Sequence, residues 1–163
     1  MTFPFFSRIN LMHLAYRIQR KLLRLFFIEQ WIVLISDSTS REHPDWRDFK
    51  PLVPPQECDW ADPFLWKHDG QTYIFIEEKP FASKHAHISC LALDNNLNVT
   101  TSHIVLKRPY HLSYPFLFTY NDQLYMLPET LGNHAIELYR CVHFPDQWEF
   151  FKTLIPDIHA VDA

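Results

Sequence analysis

The residues of this chain that could do chemistry are carboxylates that recur in an internal repeat. Asp62 opens one copy of the repeat, and Asp162 stands where a later copy opens. Glu77 and Glu129 occupy corresponding places 52 residues apart, and Glu78 follows Glu77. Carboxylates that converge on one pocket could hydrolyse a glycosidic bond, because one acid protonates the leaving oxygen while another activates water. Such groups also bind sugar hydroxyls without chemistry, and the sequence leaves both functions open.

Each of these acids also has a structural interpretation. Asp62 precedes Pro63, and an Asp in that place often caps a turn through its side chain. Tyr114 fills the place of Asp62 in the second copy, so the position varies between otherwise matched copies, which favours a ligand role for Asp62. Glu77 and Glu129 are the same in both copies, and a repeated Glu could instead bind backbone in every copy.

A second polar and aromatic stretch, residues 108–115, joins the two copies. Arg108 could pair with phosphate or carboxylate, because its planar guanidinium grips both. His111 could hydrogen-bond a sugar hydroxyl or titrate near neutral pH. The alternative is an ordered connecting loop in which Tyr110 and Tyr114 pack.

The repeat itself predicts the architecture. Segment 61–78 returns without gaps as segment 113–130, with the same residue at six positions of the first copy: Pro63, Phe64, Leu65, Gln71, Tyr73 and Glu77. The Asp69-Gly70 pair is a strong signal for a two-residue hairpin turn. A repeat of roughly 50 residues with several short strands is typical of a β-propeller blade.

The strand pattern predicts an all-β fold, a partial β-propeller with about two four-stranded blades of an expected five. The predicted strands are 30–35, 49–53, 62–67, 72–77, 87–93, 104–107, 114–119, 124–127, 136–142 and 148–154. The predicted domain spans residues 30–163, with blade one at 60–108, blade two at 109–158 and the start of blade three at 159–163. Because propellers close with four to eight blades, we expect the chain to be a fragment.

Residues 1–29 are predicted to form a basic amphipathic helical leader. Residues 1–28 carry five basic and no acidic side chains, whereas the whole chain has a net charge of −4. No uncharged apolar run of about 18 residues is present, which argues against a transmembrane helix. The helix could pack on the domain or lie weakly on an anionic membrane. We predict a cytoplasmic protein with membrane contact through this leader.

Composition excludes several other classes of function. An acidic domain behind a short basic leader argues against nucleic-acid binding. Cys58, Cys90 and Cys141 form no CxxC pair, which favours buried free thiols in a reducing compartment. His85 and His87 lie two residues apart without a specified third ligand, so neither a metal nor a cofactor is predicted.

Several short motifs give the chain a family resemblance. They are Trp60-Ala61-Asp62-Pro63-Phe64, Phe75-Ile76-Glu77-Glu78, Arg108 to Pro115, Met126-Leu127-Pro128-Glu129-Thr130, Glu137-Leu138-Tyr139-Arg140 and Ala160-Val161-Asp162-Ala163. With these motifs the chain resembles the N-terminal propeller-like domain of glucosamine inositolphosphorylceramide transferases and their bacterial relatives. The resemblance implies a fold similar to the five-bladed propeller of family 43 glycoside hydrolases. By that likeness, Asp62 and Glu129 are the best matches to catalytic carboxylates.

Two functions therefore compete. The first is a carbohydrate-recognition or accessory module in glycolipid or surface-polysaccharide synthesis, whose partners are a sugar or glycolipid and either the missing half of the propeller or an adjacent glycosyltransferase domain. The alternative is an enzyme, similar to a glycoside hydrolase or a glycosyltransferase, that uses axial carboxylates. The predicted catalytic residues are Asp62, Glu129 and Asp162. The predicted substrate-binding residues are Glu77, Glu78, Arg108, His111, Tyr114 and Trp60.

Overall fold

The computed structural model describes residues 13, 14, 16–19, 21, 27, 29–37 and 45–161. The chain divides into two compact units, Met1–Gln30 and Trp31–Ala163. In the first unit, residues 13, 14, 16–19 and 21 are helical, and the rest of the predicted leader helix lies outside the described residues. Over the described part of the chain, no helix combines the length and apolar character needed to cross a membrane.

The described residues of the second unit form three antiparallel sheets. A short ribbon pairs β1 with β2, sheet 1 contains β3 to β6, and sheet 2 contains β7 to β10, each strand beside its neighbour in sequence. The bounds are β1 Val33–Ile35, β2 Lys50–Leu52, β3 Cys58–His68, β4 Gln71–Pro80, β5 His87–Leu93, β6 Val99–Leu106, β7 Ser113–Tyr120, β8 Gln123–Glu129, β9 Ala135–His143 and β10 Gln147–Pro156. Short 3-10 helices lie at Trp46–Asp48 and Leu131–Asn133. The predicted all-β fold with two four-stranded, blade-like sheets is confirmed.

Two tight hairpin turns set the register of the β3–β4 and β7–β8 strand pairs. Asp69 and Gly70 have φ values of 47° and 76°, and Asn121 and Asp122 have values of 49° and 59°. Two consecutive left-handed residues define a type I′ turn, whose twist matches that of the flanking strands. Because the loop length is fixed, the period-two alternation of side chains decides which residues face each side of a sheet.

The core lies in two layers on either side of sheet 1. On one side, the β1–β2 ribbon packs against sheet 1 through Val33, Ile35, Leu52, Trp60, Ile74, Ile76, Leu91 and Leu93. On the other side, sheet 1 packs against sheet 2 through Phe75, Ile88, Cys90, Val105, Leu106, Leu112, Leu117, Met126 and Tyr139. Sheet 1 is thus covered on both faces, as its nearly continuous apolar strand β5 requires.

Strands β3 and β7, each at one side of its four-stranded sheet, contain matching irregularities near their starts. Their registers shift between Ala61 and Phe64 in β3 and between Ser113 and Phe116 in β7. Asp62 and Tyr114 lie inside these shifts, each before a proline, with φ values of 47° and 46°. The predicted start of β3 at Asp62 was therefore wrong, because the strand begins at Cys58 and continues through the bulge.

The antiparallel order brings one set of segments to the same edge of both sheets. The starts of β3 and β7, the ends of β4 and β8, and the loops that follow β4, β6 and β8 all lie there. We call this the site edge. Of the predicted site residues that the structure describes, nearly all lie at or near the site edge.

Candidate functional site

Asp62 joins the two sheets at the site edge. Its Oδ2 accepts a hydrogen bond of 3.2 Å from the backbone N–H of Tyr114, which occupies the matching position of the second repeat. Both residues have a left-handed backbone conformation, which is uncommon for residues other than glycine. The carboxylate of Asp62 therefore has a structural bond between the sheets, whether or not it also contacts a ligand.

His111 makes a second connection at the same edge. Its Nε2 lies 3.0 Å from Glu77 Oε1, and its Nδ1 accepts the backbone N–H of Ala86 at 3.2 Å. Because Nδ1 is an acceptor, the neutral ring carries its hydrogen on Nε2 and donates it to Glu77. The Glu77 carboxylate holds the pKa of His111 above its usual range against the opposing effect of burial, and the charge of Glu129 adds to this increase.

Glu129 belongs to the same group of carboxylates. It is the last residue of β8 and pairs with Ser113 at the start of β7, as Glu77 pairs with Ala61. The structure thus brings Asp62, Glu77 and Glu129 to one edge, with His111 among them. Asp162, the third predicted catalytic residue, lies outside the described residues.

Tyr114 presents an aromatic ring at this edge. Its side chain is 39% exposed, although Pro115, the next residue, is fully buried. An exposed ring at the start of β7, where its own backbone N–H bonds to Asp62, is a surface on which a sugar ring can stack.

Glu78 and Trp60 face the opposite side of sheet 1. Trp60 is 4% exposed, and its indole N–H donates to Glu78 Oε2 at 3.1 Å. His87 Nε2 lies 3.4 Å from Glu78 Oε1, a polar contact that is long for a hydrogen bond. The His87 imidazole lowers the pKa of Glu78 against the effect of burial, with help from Trp60 and Ser89. This internal cluster belongs to the ribbon side of the core rather than to the surface around Glu77.

Arg108 contributes to packing between the sheets. Its Nε–H donates to the hydroxyl of Tyr139 at 3.1 Å, and its guanidinium lies 4.7 Å from the centre of that ring. A further N–H donates to the Lys107 carbonyl at 2.9 Å. These contacts match the alternative in which residues 108–115 form an ordered connecting loop.

Glu137 is a buried acceptor near the site edge that was not predicted from the repeat. This side chain is 5% exposed and accepts hydrogen bonds from the hydroxyls of Tyr110 and Tyr139, the former at 2.6 Å, and from the side-chain amide of Asn133. Burial and the neighbouring Glu137 carboxylate raise the pKa of both tyrosines. Glu137 thereby links Tyr110, which precedes β7, to Tyr139 on β9 and to Asn133 in the β8–β9 loop.

The described residues include three thiols and several possible metal-ligating side chains. Among them, no group of three His, Cys, Asp or Glu side chains could hold a metal ion. Cys58, Cys90 and Cys141 are buried free thiols, and burial raises their pKa values to about 11, about 12 and about 11. The side chains described at the site edge offer a ligand carboxylate, imidazole and aromatic groups.

Comparison with known proteins agrees with the motifs. Residues 56–163 match the family model described as glucosamine inositolphosphorylceramide transferase 1, N-terminal. The chain is 34% identical over 96 residues to glucosamine inositolphosphorylceramide transferase 1 of Arabidopsis thaliana, a match that covers 58% of this chain and 12% of that protein. It is 35% identical over 96 residues to the protein of the same name from Oryza sativa subsp. indica, covering 58% of this chain and 13% of that protein.

The match thus spans about one eighth of the length of these curated relatives. No solved structure matches the chain. Since the family model covers residues 56–163, which include both four-stranded sheets, the chain belongs to the glucosamine inositolphosphorylceramide transferase 1 N-terminal family.

Proposed function

We propose that this chain is a carbohydrate-recognition module associated with glycolipid biosynthesis, and that the site edge binds the sugar headgroup. The relatives carry the name glucosamine inositolphosphorylceramide transferase 1, which names an amino sugar and an inositol-containing lipid. The observation that carries the proposal is the convergence of Asp62, Glu77, His111, Tyr114 and Glu129 at one edge. Carboxylates accept hydrogen bonds from sugar hydroxyls, and an exposed aromatic ring can pack against the apolar face of a sugar. These residues therefore suit a polyhydroxylated ligand.

The bonds inside this set support recognition over catalysis. Asp62 holds the Tyr114 backbone and Glu77 holds His111, so both carboxylates also fix the geometry of the edge. A site whose groups are held in place by one another is preorganised, which lowers the entropic cost of binding.

A hydrolase-like or transferase-like enzyme is the second candidate, and the grouping of carboxylates around His111 favours it. In that case Asp62, Glu129 and Asp162 are the catalytic acids. Retaining and inverting glycosidases need two such acids at defined separations. Incubation of the chain with an amino-sugar glycoside, followed by detection of the released sugar, tests this candidate, and release that is lost in Glu129→Gln supports it.

We further propose that sheets 1 and 2 are consecutive blades of a propeller similar to that of family 43 glycoside hydrolases. The repeat of 52 residues, the four-stranded meanders and the face-to-face core support this arrangement. An experimental structure of a full-length relative tests it, and two sheets packed in a closed sandwich would contradict it.

Titration calorimetry of the whole chain with glucosamine, an inositol phosphate and an unrelated hexose tests the proposed recognition. We expect Tyr114→Ala to weaken binding of the preferred sugar about tenfold, because stacking on the ring is lost. Tyr120→Ala is the matched control, since Tyr120 is 64% exposed at the other end of β7. Equal loss in both variants, or no binding of any sugar, contradicts the proposal.

For the leader, we propose weak and reversible contact with anionic membranes. Five basic side chains among residues 1–28 support it, at about 1 kcal/mol each near an anionic surface. Flotation with anionic and neutral vesicles is the test. Equal recovery with both lipids, or unchanged recovery after deletion of residues 1–28, contradicts this contact.

A further inference from the structure

A cavity of about 270 Å³ opens between sheet 1 and the β9–β10 turn, at the ends of the strands opposite to the site edge. It lies over the start of β4, the end of β5 and the start of β6, on the face of sheet 1 that packs against sheet 2. Its lining includes Gln71, Tyr73, Ala92, Thr101, His103 and Pro145. The volume is just below the range of about 300–1,000 Å³ that drug-sized ligands occupy, so the cavity suits a smaller molecule.

The floor of the cavity is a row of paired residues across three strands of sheet 1. Tyr73 on β4 pairs with Ala92 on β5, and Ala92 pairs with Thr101 on β6. Directly opposite residues of antiparallel strands place their side chains on the same face of a sheet. Because Ala92 and Thr101 have short side chains, this row leaves space beside the tyrosine ring.

Sheet 2 fills the corresponding row. Tyr125 stands 52 residues after the tyrosine of sheet 1 and pairs with Arg140, which in turn pairs with Glu149. Arg140 Nε donates to Glu149 Oε1 at 3.0 Å, so two long charged side chains occupy the positions of the short pair in sheet 1. The order of strands therefore accommodates large side chains at these positions, and the cavity results from the choice of small residues in sheet 1.

The polar groups at the cavity are uncharged and can both donate and accept hydrogen bonds. The Tyr73 hydroxyl donates to Gln71 Oε1 at 3.0 Å, which leaves the phenol oxygen as an acceptor and the Gln71 amide nitrogen as a donor. Thr101 and His103 are exposed and can act in both ways. Among the lining residues that the structure describes, none is Lys, Arg, Asp or Glu, and burial raises the pKa of the Cys90 thiol to about 12. This lining favours a neutral ligand over a charged one.

Aromatic packing fixes the wall of the cavity that comes from sheet 2. Phe144, next to Pro145, meets Tyr73 edge-on with ring centres 4.8 Å apart, and its ring centre lies 4.2 Å from that of His68. The indole N–H of Trp148 donates to the Pro145 carbonyl at 2.7 Å. These contacts hold the turn against sheet 1, so a ligand meets a preformed cavity.

We propose that this cavity is a second binding site, which takes one neutral polyhydroxylated ring such as a single sugar or a cyclitol. The hydroxyls of such a ring can pair with the amide, phenol, hydroxyl and imidazole groups of the lining, and its apolar face can lie against Pro145. The site is separate from the site edge, because the two lie at opposite ends of the strands, and it does not depend on the function proposed for that edge.

Titration calorimetry of the whole chain with three neutral probes, glucose, N-acetylglucosamine and myo-inositol, and with charged glucosamine and glucuronic acid, tests this site. At least one neutral probe should bind, and the double variant Ala92→Arg/Thr101→Glu should weaken its binding at least about tenfold by filling the cavity as sheet 2 does. Ser102→Glu is the matched control, because Ser102 is exposed and pairs with Leu91 on the opposite face of β6. No neutral probe with a Kd below about 10 mM, or equal loss in the double variant and the control, overturns the proposal.

Two smaller substitutions keep the test decisive if the double variant does not fold. Thr101→Val and Tyr73→Phe each remove one hydroxyl with little change of shape, and each should weaken binding of the neutral probe about fivefold. Unchanged binding in both overturns the site. Tyr114→Ala separates this site from the site edge: binding that is lost in Tyr114→Ala and kept in Thr101→Val and Tyr73→Phe belongs to the site edge and overturns the second site. Loss in the cavity variants alone supports the second site, whether or not the site edge binds a sugar.

Discussion

Sheets 1 and 2 share one order of strands, but the carboxylate that accepts hydrogen bonds from aromatic side chains lies on a different strand in each. Glu137 is 5% exposed, whereas the Glu78 side chain is 18% exposed. In sheet 1, Glu78 near the end of β4 accepts a hydrogen bond from the Trp60 indole N–H and lies beside His87. In sheet 2, Glu137 on β9 takes the hydroxyls of Tyr110 and Tyr139. Both carboxylates lie near the site edge, each on the face that its sheet turns toward the preceding element of the chain.

The positions exchanged between the sheets are informative. Thr130 stands 52 residues after Glu78, and its hydroxyl donates to the Ala135 carbonyl. Glu137 occupies the position in sheet 2 that Ser89 occupies in sheet 1. Ser89 lies two residues before Leu91 and Glu137 lies two residues before Tyr139, and Leu91 and Tyr139 pair with corresponding residues of β4 and β8. Each sheet therefore has one carboxylate near the site edge that accepts hydrogen bonds from aromatic side chains. This carboxylate lies on the second strand of sheet 1 and on the third strand of sheet 2.

The largest expected effect is the loss of the acceptor in sheet 2. Glu137→Ala leaves the hydroxyls of Tyr110 and Tyr139 without their acceptor in a buried site, and we expect the free energy of unfolding to fall by about 3 kcal/mol. Urea denaturation measures it. Glu57→Ala, at an exposed turn, is the control and should stay within about 0.5 kcal/mol. A similar small change at Glu137 would break the comparison between the sheets.

A smaller effect, with a defined pH dependence, is expected in sheet 1. Glu78→Gln should cost about 2 kcal/mol near neutral pH, because the charged acceptor beside His87 is lost. The pKa of Glu78 is lowered in the folded state, so its contribution is present above the ordinary glutamate pKa and is lost as pH falls through the lowered value. The difference in free energy of unfolding between the wild type and Glu78→Gln should therefore be present at neutral pH and shrink at acidic pH. A pH-independent difference would contradict this account.

The smallest effect on stability is expected at Asp62. Asp62→Asn keeps a side-chain oxygen for the Tyr114 N–H and should change the free energy of unfolding by less than about 0.5 kcal/mol, whereas Asp62→Ala should cost about 1 kcal/mol. Sugar binding should fall about tenfold in Asp62→Asn, because a charge-assisted bond is lost. Calorimetry on the same samples measures sugar binding separately from stability. Unchanged binding would mean that Asp62 serves only to hold the two sheets together.

Local chemistry explains what the sequence could predict. The bounds of β5 agree with the predicted strand 87–93, since an apolar run between turn signals is a local pattern. The Asp69-Gly70 turn follows for the same reason. The bond from Asp62 to Tyr114 spans 52 residues and depends on how two sheets meet, so strand periodicity could not reveal it.

Glu137 escaped prediction for a related reason. Its partners Tyr110 and Tyr139 are 27 and 2 residues away, and its place in the first repeat is held by a serine, so repeat matching gave no signal. The carboxylates of the site edge were found because Glu77 and Glu129 do repeat. Internal repetition therefore identified the shared edge of the two sheets but not the residues that differ between them.

Because each sheet contains at least one buried thiol, the rate of thiol labelling can measure local unfolding of each sheet separately. Cys58 and Cys90 lie in sheet 1 and Cys141 lies in sheet 2, with pKa values raised to about 11 or 12. An alkylating reagent attacks the thiolate, so labelling of the native protein waits for transient exposure. If the sheets unfold as one cooperative unit, Cys90 and Cys141 will label at one common rate, and if sheet 2 opens first, Cys141 will label ahead of Cys90.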